Sequence, residues 1–230
     1  MNLQHQAAAA PAATTPQRLD NAPLQAAPPA GTRRLSTCPL PRGLTLVELL
    51  VALAIIAIVA GFAIPSFLGL VASTRVSATV NAFVADTHYA RGEAIRRGKT
   101  VTICRSADPV AHPPKCSSGN GAAVGGWREG WFVFTDEDSD GAFDSGTDTV
   151  MRIQEAFANA GSFLAVNHAG SPVNNRNYIS FDATGRAVGL QARWLVQAEG
   201  ALSTNSSYTR TLCMNMGGRV RVQAGEAPCA

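Results

Sequence analysis

Charge is scarce in this sequence. Only 15% of the 230 residues are Asp, Glu, Lys or Arg, and none of these occurs between Leu49 and Ala72. The basic excess is also confined to one end. The formal charge is +3, from 19 basic and 16 acidic side chains. Four arginines (Arg18, Arg33, Arg34, Arg42) and one acid (Asp20) precede residue 44, which leaves 15 of each sign in 44–230. A domain of zero net charge has no overall field to draw polyanions. Non-specific nucleic-acid binding by the whole domain is therefore excluded, and any such binding needs a local patch.

Catalytic signatures are missing too. There is no nucleophile elbow, Walker loop, dinucleotide fingerprint or metalloprotease motif. His88, His112 and His168 stand apart, and His112-Pro-Pro-Lys-Cys116 lacks zinc-ligand spacing. The reading is a non-enzyme with no cofactor. No internal repeat is evident.

What is present starts with a tail. Residues 1–43 are rich in Ala, Pro, Gln and Thr and show no apolar periodicity. Such a composition cannot bury enough surface to offset ordering entropy, so it is kept out of the fold. The apolar run follows, within 44–72. At about 1.5 Å rise per residue it is long enough to cross the ~30 Å core of a bilayer as a helix. Arg33, Arg34 and Arg42 lie before it and Arg75 just after. The positive-inside rule then places the N-terminus in the cytoplasm and the rest outside it. Ile64-Pro65-Ser66-Phe67 is not a small-x-small cleavage site, so the segment reads as a retained anchor. Pro65 removes one backbone bond and is expected to kink the helix.

The helix is expected to continue through 73–98. Val76, Val80, Phe83, Val84, Thr87 and Ala94 follow three- and four-residue spacing, an amphipathic stripe. Arg91, Arg96, Arg97 and Lys99 suit its C-terminal dipole, and Gly98 its C′ position. One helix from about 45 to 97 would be roughly 80 Å long. Beyond it, 99–230 reads as short strands between Gly, Asn, Asp and Pro clusters. These are Val101–Cys104, Trp131–Thr135, Thr149–Gln154, Phe163–Asn167, Tyr178–Asp182, Trp194–Ala198, Arg210–Met214 and Arg219–Gln223. Thr184-Gly185 and Gly217-Gly218 look like hairpin turns. The class is α+β: a long N-terminal helix packed on an antiparallel β-sheet domain.

Of five cysteines, Cys38 precedes the apolar run and Cys104, Cys116, Cys213 and Cys229 follow it. An even number in an exported domain fits an oxidising compartment. Three pairings are possible; Cys104–Cys116 and Cys213–Cys229 are favoured because each closes a short loop.

Arg42-Gly43 followed by Leu44-Thr45-Leu46-Val47-Glu48-Leu49-Leu50 resembles the start of a type IV prepilin-like protein. The resemblance implies that a prepilin peptidase cuts between Gly43 and Leu44 and methylates the new Leu44 amine. The fifth mature residue is then Glu48. A carboxylate in hydrocarbon is costly, and in an assembly its natural partner is the Leu44 amine of a neighbouring subunit; the alternative is a carboxylate at headgroup level. A leader of forty-three residues is longer than is common for such proteins. The following domain resembles the GspH/FimT family of minor pilins and pseudopilins. The matching stretches are 90–99, 101–104, Gly130-Trp131-Phe132-Val133-Phe134-Thr135-Asp136, 179–185 and Gly218-Arg219-Val220-Arg221-Val222. This implies an inner-membrane, single-pass subunit with a periplasmic domain, whose partners are other pilins or pseudopilins in a type IV pilus or a type II secretion pseudopilus.

Two further stretches bear chemistry. Arg219 and Arg221 follow a Gly-Gly turn at strand spacing, so both guanidiniums would project from one face and suit phosphate oxygens. In FimT-like members such a tail is associated with DNA binding. A solvated strand face, or pairing with an acid such as Glu226, reads equally well. Arg210 and the Arg96–Arg97–Lys99 cluster are candidates to extend the patch. Asp136, Asp138 and Asp140, with Gly141 in sixth place, resemble a calcium loop. The twelfth position holds Thr147 rather than Glu, so the stretch reads first as a solvated turn and only second as a metal site. Trp127, Trp131 and Trp194 could stack bases, but large aromatics more readily fill a core.

Overall fold

The computed structural model describes residues 43–158, 160–189 and 191–229. The tail, including Arg42, lies outside the described residues. Helix α1 spans Leu46–Arg97, 52 residues, or roughly 78 Å at 1.5 Å per residue. Its hydrogen-bonded run is not interrupted at Pro65, since a proline forfeits one bond and the turns on either side hold the rest.

The two halves of α1 differ. Leu46, Val47, Ile55 and Ile56 are all more than half exposed, on every side of the helix. Leu46–Arg97 contains the one helix window among the described residues that is long and apolar enough to cross a membrane. Beyond it the stripe begins: Gly69, Val76, Thr79, Val80, Phe83, Asp86, Thr87, Ala90 and Ala94 are buried. The buried hydroxyls of Thr79 and Thr87 donate to the carbonyls of Arg75 (3.1 Å) and Phe83 (2.7 Å), four residues back. At Gly69 the Tyr208 hydroxyl occupies the place a Cβ would take. The helix ends where Gly98 N–H donates to Ala94 O at 2.9 Å.

The single expected sheet is in fact two, each antiparallel and four-stranded. The first contains β1 (Val101–Arg105), β2 (Trp131–Thr135), β3 (Thr149–Gln154) and β5 (Tyr178–Phe181), in the order β3-β2-β1-β5. The second contains β4 (Phe163–Val166), β6 (Ala192–Val196), β7 (Arg210–Met214) and β8 (Val220–Ala224), in the order β4-β6-β7-β8. Gly217-Gly218 turns β7 into β8, with Gly218 N–H donating to Asn215 O at 2.9 Å. Thr184-Gly185 makes only a tight turn closed by an isolated Phe181–Ala187 bridge. Disulfides join Cys104 to Cys116 and Cys213 to Cys229, with Cα separations of 5.5 and 5.6 Å.

Both sheets pack on one helical side chain. The Phe83 ring lies 5.4 Å from Trp131 of β2, 4.9 Å from Phe163 of β4 and 5.4 Å from Trp194 of β6. Trp127, from a 3-10 turn leading into β2, closes the cluster at 5.3 Å. The tryptophans are thus core, 0–1% exposed, and unavailable to stack on a ligand.

One buried helix residue is an acid. Asp86 Oδ2 accepts from Trp131 Nε1 at 2.8 Å, and Oδ1 meets Arg152 Nε at 2.8 Å. The Arg152 guanidinium also lies over the Tyr89 ring, 5.4 Å from its centroid. Burial raises the Asp86 carboxyl above its usual range, against the bond from Trp131 and the charge of Arg152.

Two outcomes follow. Phe83→Ala removes a ring shared by both sheets and is expected to cost about 3–5 kcal/mol, measured by urea unfolding in detergent. A raised carboxyl binds its proton more tightly when folded. Its contribution to stability is therefore fullest below the unfolded value of 3.8 and is lost as pH rises through the folded one. Lowering the pH from neutral toward 4 should then favour wild type more than Asp86→Asn, read as the difference in their Tm against pH.

Candidate functional site

The register of the second sheet sets Val166, Arg193, Cys213 and Arg221 in one row across β4, β6, β7 and β8. Directly paired residues share a face. Their neighbours Trp194 and Leu212 point into the core, so this row lies on the outer face. There the sheet forms the floor of a pocket of about 380 Å³. Arg219, at the turn before β8, lines it with Arg221, and Arg176 and His168 lie on its wall. The Cys213–Cys229 disulfide ties the C-terminal tail to the same floor.

Among the described residues no carboxylate pairs with the charges in the pocket. Arg193 is buried, and its guanidinium donates to backbone carbonyls: Nη1 to His168 O at 3.1 Å and Nη2 to Glu226 O at 2.7 Å. The Glu226 carboxylate accepts from Gln197 Nε2 at 3.2 Å, not from an arginine. Ion pairs among the described residues use Arg96, Arg97, Lys99, Arg105 and Arg152, and none uses Arg176, Arg193, Arg219 or Arg221. Burial lowers the Arg176 pKa, yet a guanidinium stays charged in proteins. Four cations around one concavity suit an anion with several oxygens, phosphate above all.

Several expected members of the patch lie elsewhere. Arg96 and Arg97 are held by Glu93, at 2.6 and 2.7 Å, and Lys99 by Glu137 at 2.8 Å. Arg210 sits at the far end of β7, opposite Ala224, and donates to Ser207 O and Thr209 O. Arg193 and Arg176 escape a reading that looks for neighbouring basic residues. The available signal for Arg193 is alternation, since it separates the inward-facing Ala192 and Trp194.

The other sites are simpler. Gly43 and Leu44 are exposed ahead of α1, and Glu48 lies in its first turn among the exposed Leu46, Val47, Leu49 and Leu50. Asp136, Asp138 and Asp140 fall in the connection between β2 and β3, with one carboxylate oxygen from each within 4.8 Å of the others.

The family model of the type II transport protein GspH matches residues 79–218, more than half of the chain. That of the prokaryotic N-terminal methylation motif matches residues 41–64. No curated protein matches in sequence. Among solved structures, the Pseudomonas aeruginosa type IV minor pilin FimU is similar at 16% identity, over 68% of this chain and 93% of that one, with a TM-score of 0.45. The Vibrio cholerae minor pseudopilin EpsH of the type 2 secretion system is similar at 11% identity, over 65% and 97%, with a TM-score of 0.38.

Proposed function

The chain belongs to the GspH family of minor pilins and pseudopilins, and from that premise we propose that it is a non-enzymatic filament subunit held in the inner membrane until it is assembled. The observation that carries this is the methylation motif at 41–64 heading a helix whose apolar half is exposed on all sides. A prepilin peptidase removes residues 1–43 and methylates Leu44. The N-terminus is cytoplasmic and the sheet domain periplasmic. In the filament the bare helix packs on other pilins or pseudopilins, and Glu48 takes the Leu44 amine of the next subunit, which sets their register. A charge pair in an apolar surround is strong when complete and costly when one member is missing.

A second reading concerns DNA. It is favoured by the pocket, where Arg219 and Arg221 join Arg193 and Arg176 with no carboxylate partner among the described residues. In this reading the domain grips the phosphate backbone during DNA uptake by a type IV pilus. The alternative is a type II secretion pseudopilin that exports proteins and has no use for the pocket.

Two experiments separate these statements. Gly43→Val is expected to leave the precursor uncleaved on an immunoblot of membranes. Glu48→Val is expected to be cleaved and inserted but absent from sheared filaments. Normal maturation of the first would overturn the cleavage site. For DNA, Arg219→Ala with Arg221→Ala should weaken duplex binding at least tenfold and lower the slope of log K against log salt by about 2. Unchanged binding or unchanged slope sinks the DNA reading and leaves the secretion one.

A further inference from the structure

We propose that the connection from β2 to β3 is a calcium site whose carboxylate ligands are Asp136, Asp138 and Asp140. The absent closing glutamate argues for a bare turn, but the geometry of Asp136 argues against one. Asp136 is only 1% exposed. Its Oδ2 is satisfied, accepting from Thr102 Oγ1 at 2.7 Å and from Gly141 N–H at 3.1 Å. Its Oδ1 is buried and has no partner in full hydrogen-bonding geometry among the described residues, the Ser139 N–H acting on the carboxylate only weakly. A solvated turn has no reason to hold a half-satisfied carboxylate out of water, where it costs free energy unless a positive charge meets it.

Among the described residues no side chain supplies that charge. The ion pairs of the described residues leave Asp136 out, and the nearby Lys99 is taken by Glu137. The loop is short of a cation.

The spacing fits calcium. Ligands on opposite sides of one ion lie at most two bond lengths apart, about 5 Å for calcium. The three oxygens here lie within 4.8 Å of one another. Alternate residues contribute them, and the chain then reverses at Gly141 (φ 81°), where an added Cβ would run into the Tyr178 ring of β5. Thr147 takes the twelfth position, and the adjacent Asp148 braces the loop instead of closing the shell. Its Oδ1 accepts from Glu137 N–H at 3.0 Å and its Oδ2 from Asp144 N–H at 2.9 Å. Backbone carbonyls and water must complete the coordination. Three carboxylates without a bidentate closer suit the weak affinity of extracellular calcium modules, a Kd of about 0.1–1 mM.

The test is thermal unfolding of the full chain in detergent, in EGTA and in about 10 mM CaCl2 or MgCl2 at matched ionic strength. Calcium is expected to raise Tm by about 3–6 °C at a Kd near 1 mM, and magnesium to leave it unchanged. Asp136 is buried and its replacement could prevent folding, so the variant is Asp138→Asn with Asp140→Asn, both exposed. This variant should lose the calcium shift while melting no lower than wild type in EGTA. Equal melting in EGTA and calcium, an equal shift with magnesium, or a shift retained by the variant would each overturn the assignment.

Discussion

The whole structure depends on Phe83. A helix has one stripe to bury, and here that stripe must hold two sheets at once. The phenyl ring meets Trp131 from one sheet and Phe163 and Trp194 from the other, with Trp127 between them. Edge-on aromatic contacts add about 0.5–1.5 kcal/mol each beyond simple burial, and they are directional. They fix the rotation of the helix about its own axis. Once that rotation is set, Asp86 has no choice but to face inward. Trp131 and Arg152 make the position tolerable, one by a hydrogen bond and the other by charge.

A domain with no net charge has sorted its charges. Acids gather on the β2–β3 connection of the first sheet, and arginines gather on the outer face of the second. The arginine pocket owes its character to backbone chemistry. Arg193 spends its donors on the carbonyls of His168 and Glu226, so its charge is anchored without an ion pair among the described residues. The disulfide between Cys213 and Cys229 holds the tail that offers one of those carbonyls.

Much of this was legible in the sequence, because it rests on local pattern. The strands Trp131–Thr135, Thr149–Gln154 and Arg210–Met214 coincide with their alternating or apolar runs. The helix begins and ends within a residue or so of its periodicity. The division into two sheets was not legible, because pairing is decided by tertiary contact: strand β5 returns to β1, while β4 leaves to join β6. Asp86 was missed because an acid on a helix reads as solvent-facing, although it falls three residues after Phe83 on the same stripe. In the arginine site, the Arg219–Arg221 spacing was visible, whereas Arg193 and Arg176 come from distant segments that only the fold brings together.

The contact of Tyr208 with Gly69 has a mechanical consequence. Buried positions run along α1 from Gly69 to Ala94, so the sheets grip the helix over roughly 38 Å at 1.5 Å per residue. The bare apolar half begins at once beyond Gly69, and no slack tether intervenes. Within 46–229 the helix and the two sheets are joined along a continuous buried stripe. An axial pull on the sheets is therefore passed directly to the backbone of α1 rather than to a linker.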